Sequence, residues 1–315
     1  MIIREASSKD IPEIVKVLKA SLGENDLPLS EEIWNFKHDV NPFGTSLVLV
    51  AEEDKKIVGV RAFMRWEWKK EKLVYRALRA VDTATHPEYQ GRGIFKKLTL
   101  KAVEVAKDQG YNFIFNTPND QSRPGYLKIG WQIAGNVNVA LKPSFSSFLS
   151  KGNHSGNYEI NIHSEESINK LCSNWNDKME GESRLFTPKS REFLCWRYER
   201  NPLQKYEVLA TEDFYIASYI KKRRKIREFR VSECIYRKDK VVSSGLNKAI
   251  KKLARKLGAH MISFAPDILP LKGLMLKGGY GPILTVRELN LKESEYSRLL
   301  EIENWNNSIG DLELF

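Results

Sequence analysis

The sequence predicts a mixed α/β protein (α+β-like in layout) of two similar lobes, and three observations carry that reading. Helical and strand-like periodicities alternate along the chain, which neither an all-helical nor an all-strand fold would produce. The 315 residues, 42% hydrophobic and 10% aromatic, exceed the usual size of one compact domain and supply apolar material for two cores. The second half also repeats the punctuation of the first. Gly110 precedes Pro118 by eight positions and Gly130 by twenty, and Gly258 precedes Pro266 by eight and Gly278 by twenty. Each leading glycine follows an amphipathic stretch, AVEVAKDQ or AIKKLARK, and precedes an apolar strand.

Taken in order, Ile2 to Glu5 has strand character, and Ile11, Ile14, Val15 and Leu18 follow at helical spacing. SEEIWNFKHDV begins with Ser30 and the acidic pair Glu31-Glu32, which suit a helix N-terminus, and stops before Asn41-Pro42. Three strand runs come next, Leu47 to Glu52, Ile57 to Trp68 and Leu73 to Thr85, divided by the charged turns EDKK and KKEK. The order to this point is βααβββ. After His86-Pro87, the segment Gln90 to Phe95, QGRGIF, opens a helix with Leu98, Ala102, Val105 and Ala106 on one face. Tyr111 to Asn116 is a short buried-type strand, Pro118 breaks it, and a polar stretch leads through Tyr126, Gly130 and Trp131 into one more strand reaching Leu141. Pro143 to Tyr158, rich in Ser, Gly and Asn, reads as a linker, so the expected division is 1–143, linker 144–157, and 158–315. The internal echo places the counterpart of Gln90 near Lys238, where Lys238 to Ser243 has no glycine.

The formal net charge of +11 favours anionic partners and disfavours polybasic ones. The run KKRRK at Lys221 to Lys225 lies between two strand-like stretches and reads as a solvated turn, so nucleic acid is not an expected partner. MIIREASSKD has no apolar run, so no signal peptide or membrane span is expected there. Cys172, Cys195 and Cys234 are odd in number, lack CxxC spacing and sit in apolar or aromatic company, as reduced, buried thiols of a cytoplasmic protein would. The five histidines form no metal-binding spacing.

QGRGIF carries the first chemical signal. A helix N-terminus presents unpaired N–H groups and the positive end of the helix dipole to an anion. Gly91 and Gly93 let backbone approach a pyrophosphate, and Arg92 adds a charge that pairs with phosphate. A glycine pair that only makes a tight turn would look the same.

The company of this motif resembles the GNAT N-acetyltransferase family over residues 2–141. The family pattern, Gln or Arg, two residues, Gly, one residue, then Gly or Ala, falls on Gln90, Gly93 and Phe95, with Phe95 departing from the small residue. A second family pattern, Asn, then Tyr seven residues on, then Gly with an aromatic residue, falls on Asn119, Tyr126, Gly130 and Trp131. The resemblance is to the two-lobed type with a degenerate second lobe, each lobe a mostly antiparallel twisted sheet with flanking helices. It implies acetyl-CoA as co-substrate and no metal. The pantetheine arm would lie along Val81, Thr83, Ala84 and Thr85, where the strand parts from its neighbour. The phosphates would lie at Gln90, Gly91, Arg92, Gly93, Ile94 and Phe95, with Asn119 beside them.

Direct transfer needs a neutral amine, whereas a lysine-like amine has a pKa of about 10.4. Asp82, eight residues before Gln90, is the carboxylate nearest the expected centre and could take the proton or simply order a turn, with Glu52 and Glu67 as rivals. The resemblance gives Tyr126 the role of hydrogen-bond donor to the departing thiolate, while a buried tyrosine can equally be core. His86, next to Pro87, reads as structural. Trp196, Arg197 and Tyr198, within Thr187 to Tyr206, suit a sugar, a nucleotide or an acidic group, and equally a lobe interface. Similar WRY segments occur in two-lobed acetyltransferases of surface polysaccharide synthesis, which points to a small or glycan-linked amine as acceptor. A non-catalytic binding module of the same fold is the alternative, and a two-lobed aminoacyl-tRNA-dependent transferase is a third reading that predicts no QGRG turn.

Overall fold

The structure is a computed structural model and describes residues 1–22, 29–144, 164–237 and 240–312. Residues 145–158 of the linker, and Lys238 and Asp239 where the echo places a second phosphate turn, lie outside the described residues. The chain forms two compact units, residues 1–68, 73–134 and 284–301 in the first, and 69–72, 135–283 and 302–315 in the second.

The first unit begins with β1 (Ile2–Glu5), α1 (Ile11–Leu22) and α2 (Glu31–His38), followed by β2 (Leu47–Glu53), β3 (Lys56–Lys70) and β4 (Leu73–Thr85). Then come α3 (Ile94–Asp108), β5 (Phe113–Asn116), α4 (Arg123–Lys128) and β6 (Gln132–Asn136). Local chemistry accounts for the boundaries. Ile33 N donates to Ser30 Oγ at 3.2 Å and caps α2, and the EDKK hairpin holds Asp54 and Lys55 at φ +51° and +62°, as tight turns between twisted strands require. The apolar face of α3, Ile94, Leu98, Ala102 and Ala106, is buried in a core shared with Leu49, Leu78, Tyr126 and Trp131. The helix lies close because position 59 has no side chain: a Cβ on Gly59 would stand 2.8 Å from Ile94 Cγ2.

The second unit takes β7 (Val139–Pro143), α5 (Glu165–Glu180) and α6 (Arg191–Leu194), the last running into a π-helical turn, Cys195–Glu199. It continues with β8 (Glu207–Ala210), β9 (Phe214–Arg223), β10 (Ile226–Tyr236), α7 (Lys240–Lys256), β11 (Met261–Phe264) and β12 (Leu276–Gly278). The chain ends with β13 (Ile283–Glu288), α8 (Glu293–Leu299) and α9 (Ile309–Leu312).

Two mostly antiparallel sheets with flanking helices result, as the sequence predicts. Their orders are β1-β2-β3-β4-β5-β13-β6 and β12-β7-β11-β10-β9-β8. The echo is real in the topology: β10 pairs in parallel with β11 from Glu228/Met261 to Arg230/Ser263, as β4 pairs with β5 from Ala77/Phe113 to Arg79/Phe115. The two halves also exchange a strand. β13, late in the chain, pairs antiparallel with β5 from Thr285/Asn116 to Glu288/Phe113, while β7 pairs with β11 in the other sheet. The single strand expected from Trp131 to Leu141 is therefore two strands of different sheets. The break falls after Asn136, next to Gly135, whose φ of +141° is one that residues with a side chain rarely adopt. Among the described residues no helix is long and apolar enough to cross a membrane, and the three cysteines are free, Cys172 and Cys234 buried as expected but Cys195 only half-buried.

Candidate active site

The site of interest is built where β4 leaves β5. The parallel pairing stops at Arg79/Phe115, yet β4 continues to Thr85, so its last residues present backbone N–H and C=O groups on the side where β5 has ended. Asp82 interrupts the extended run with φ +28°. Val81 and Ala84 bury their side chains, Thr83 Oγ1 donates to Val60 O at 3.3 Å, and Gln90 Nε2 donates to Thr85 O at 3.3 Å.

Residues 86–93 then carry the chain to α3. Gly91 and Gly93 sit at φ +78° and +72°, and a Cβ on either would meet nothing within 4 Å. Glycine is thus demanded by backbone angle rather than by crowding, and the start of α3 is left clear. No side chain caps α3, and its first turn holds no acidic residue, so the N–H groups and the helix dipole favour an anion there. Arg92 is 55% exposed, donates to Glu53 Oε1 at 3.1 Å and lies over the Tyr89 ring at 4.8 Å. Phe95 packs edge-on against Tyr126 with ring centroids 5.6 Å apart.

Tyr126, on α4, is 4% exposed, and its hydroxyl oxygen accepts from Arg61 Nη1 at 2.7 Å. Arg61 is a functional candidate that the sequence reading passed over. Its signal was present: a lone arginine inside the apolar run IVGVRAFM, on a strand whose neighbours are all buried.

Asp82 Oδ2 accepts from Lys37 Nζ at 2.5 Å and lies 2.8 Å from His38 Nε2, both contributed by α2. Burial works against the Asp82 charge, but Lys37 and the His38 hydrogen bond outweigh it and hold the carboxyl well below its usual range. Burial pushes the His38 pKa down in spite of Asp82, so the ring is neutral near pH 7. An ionised Asp82 can only accept, which places the ring proton on Nε2 and leaves Nδ1 to accept from Ser46 Oγ at 2.9 Å. A cavity of about 290 Å³ opens at this end of the chain of bonds, lined by Ser46 and His38 with Ser7, Ser8, Trp34 and Arg65.

The other sequence candidates are placed as follows. Glu52 accepts from Arg4 Nε at 2.8 Å, Glu67 is half-buried on β3, and His86 N donates to Val58 O at 2.9 Å. Asn119 is exposed and folds its own loop, its Oδ1 accepting from Ser122 N at 2.8 Å. Trp196, Arg197 and Tyr198 belong to the interior of the second unit, at 4%, 0% and 1% exposure. Arg197 Nη2 donates to Gly310 O at 3.0 Å and the Tyr198 hydroxyl donates to Glu233 Oε2 at 3.0 Å, so these groups are spent on internal bonds. Among the described residues no cluster of three or more His, Cys, Asp or Glu could hold a metal ion.

Parted strands are thus followed, through a glycine turn, by an uncapped helix end suited to an anion. Residues 2–134 match the acetyltransferase (GNAT) domain model. That stretch makes up most of the first unit, and the two sheets fit a two-lobed arrangement. The fold is similar to that of a conserved protein of unknown function from Enterococcus faecalis, a probable N-acyltransferase (10% identity, TM-score 0.66, 91% of this chain and 72% of that one). A GCN5-related N-acetyltransferase from Anabaena variabilis (13%, 0.65, 92% and 73%) and Eis1 from Mycobacterium abscessus (12%, 0.60, 96% and 76%) are similar as well. At these identities the likeness is one of fold. No curated protein matches the sequence.

Proposed function

We propose that the protein transfers an acetyl group from acetyl-CoA directly to a primary amine on a small or glycan-linked acceptor. One observation supports this above the others: β4 outruns β5 and delivers the chain, through Gly91 and Gly93, to an uncapped helix end with no acid in its first turn. The backbone of Val81 to Thr85 on the side where β5 has ended would hydrogen-bond the pantetheine amides. The N–H groups of residues 91–95 and the Arg92 guanidinium would take the pyrophosphate, with Glu53 giving up Arg92 as it does so.

In the reaction the amine nitrogen bonds to the acyl carbon and the carbon–sulfur bond breaks, its electron pair leaving with sulfur. The Tyr126 hydroxyl would donate to that sulfur. Asp82 would meet the acceptor as an anion, drawing in its ammonium form. Lys37 and His38 lower the proton affinity of Asp82, so the ammonium proton would leave to water beside the carboxylate rather than to the carboxylate itself. The glycan-linked acceptor rests on the WRY resemblance. With those three side chains buried, recognition by them would need the second unit to open locally.

The test is release of free coenzyme A from acetyl-CoA across a panel of amines and amino sugars, beside calorimetric titration of coenzyme A. One binding site per chain and amine-dependent release are expected. A protein that binds coenzyme A yet gives no release with any amine would be a binding module instead, and absence of binding would remove the reading altogether.

A further inference from the structure

Arg61 is fully buried at the middle of β3, opposite Leu49 in the β2 register. Among the described residues its guanidinium has one hydrogen bond, to Tyr126, and no carboxylate; Nε and Nη2 find no acceptor. Its surroundings are aromatic, with the charge 4.7 Å from the Phe63 ring centroid, 5.1 Å from Tyr126 and 5.8 Å from Phe95. Cation–π contact returns only part of what burying such a charge costs, and an apolar residue of similar volume would serve the fold as well or better. The arginine therefore calls for a reason outside stability. Phe95 belongs to the same device: it stands where the family pattern has a small residue, and its ring completes the cage over Arg61 while meeting Tyr126 edge-on.

We propose that Arg61 is the positioning residue for Tyr126: by donating to the phenol oxygen it turns the Tyr126 proton outward, toward the leaving sulfur. The inference rests on the acyl-transfer reading above. A phenol oxygen carries one proton and accepts along its lone pairs. With Nη1 occupying the acceptor side, the O–H can donate only away from Arg61, and two neighbouring rings, Phe95 and Trp131 at centroid distances of 5.6 and 5.1 Å, hold the phenol in that pose. When the carbon–sulfur bond breaks, sulfur takes the electron pair and the phenol proton, and the phenolate formed lies against the guanidinium. The proton that the amine gives up then restores the phenol, so the cycle consumes and releases none beyond the amine's own.

The experiment compares Arg61→Met, Arg61→Lys, Tyr126→Phe and the Arg61→Met/Tyr126→Phe pair, measuring kcat, KM for acetyl-CoA and Tm. Arg61→Met is expected to lower kcat roughly tenfold to a hundredfold, the worth of one hydrogen bond from a charged donor. KM should stay within about twofold and Tm should be equal or higher, since the buried charge is gone. Arg61→Lys should recover part of the rate, and the pair should be no slower than Tyr126→Phe alone, because both substitutions remove the same act. A merely structural Arg61 predicts the opposite: lower Tm, a rate that follows stability, and additive losses in the pair. If the wild type turns over and Arg61→Met keeps its kcat, the inference is wrong and the acyl-transfer reading stands. A wild type that neither binds coenzyme A nor releases it would overturn both. Should Arg61→Met not fold, the structural role is the one shown.

Discussion

The two units build the same frame and finish it differently. Each has a long antiparallel hairpin, a helix and a parallel strand, and each places a carboxylate where the inner strand is irregular: Asp82 at φ +28° on β4, and Glu233 at the register shift after Val231 on β10. Each carboxylate takes a lysine from earlier in the chain, Lys37 on α2 or Lys189 in the irregular stretch before α6. In the first unit the Asp82 side chain keeps 16% exposure. In the second, Glu233 is closed off at 0%, receiving Lys189, Tyr198, Ser308 and the Cys234 N–H, with Asp311 on the same lysine. The connections diverge too. Residues 86–93 make the glycine turn before α3, whereas the sequence from Arg237 to Ser243 holds no glycine. Tyr126 lies sixteen residues after Gly110 on α4; sixteen after Gly258 stands Leu274, 78% exposed and in no helix. In both copies the inner strand outruns its parallel neighbour, but the first leads on to the glycine turn and the uncapped α3, whereas the second ties its carboxylate into core bonds.

The sharpest way to break this comparison is to remove one hydroxyl from each unit. Tyr126→Phe should lower kcat by about a hundredfold to ten-thousandfold, with acetyl-CoA affinity and Tm nearly unchanged. Tyr198→Phe should leave kcat unchanged and cost about 1–3 kcal/mol, because it withdraws a donor from buried Glu233. Equal rates for both variants would dissolve the distinction.

The lysines come next. Lys189→Met strands Glu233 and Asp311 without their shared cation and should cost about 3–5 kcal/mol by denaturant titration. Lys37→Met should cost clearly less, since Asp82 keeps His38 and some access to water. The reverse order would mean that the first site is the closed one.

Binding stoichiometry then tests the two connections. One coenzyme A per chain is expected, raising stability by roughly 2.7 kcal/mol at a hundredfold excess over Kd. Gly93→Val, forced into φ +72°, should abolish that binding, while Arg92→Ala, one exposed charge among several donors, should weaken it only mildly. Two equivalent sites by calorimetry would show that residues 237–243 can do what 86–93 do.

The smallest expected effect is on pH. His38 has a depressed pKa in the fold, so its contribution is present above its unfolded value of about 6.5 and is lost as pH falls. Asp82, also depressed, adds its own loss only below about pH 4. Stability measured from pH 7 to 5 should therefore decline by at most about 1.4 kcal/mol per unit from His38, and His38→Gln should flatten that decline. A slope unchanged in the variant would assign it to other groups.

The sequence by itself determined the features that are local. Gly91 and Gly93 announce positive φ because a Cβ is costly there, Ser30 announces a cap, and the period of Leu98, Ala102 and Ala106 announces a buried face, all within a turn or two of chain. The duplicated Gly-Pro-Gly spacing was legible for the same reason, since each glycine marks an element's end. What only the tertiary structure decided are the meetings between distant residues. Arg61 and Tyr126 are 65 positions apart, His38 and Asp82 are 44, and Thr285 and Asn116, where the halves exchange a strand, are 169. Periodicity reports which face of a strand is buried but not which strand will lie beside it. An arginine inside an apolar run reads as an anomaly until folding brings the one phenol oxygen that it serves.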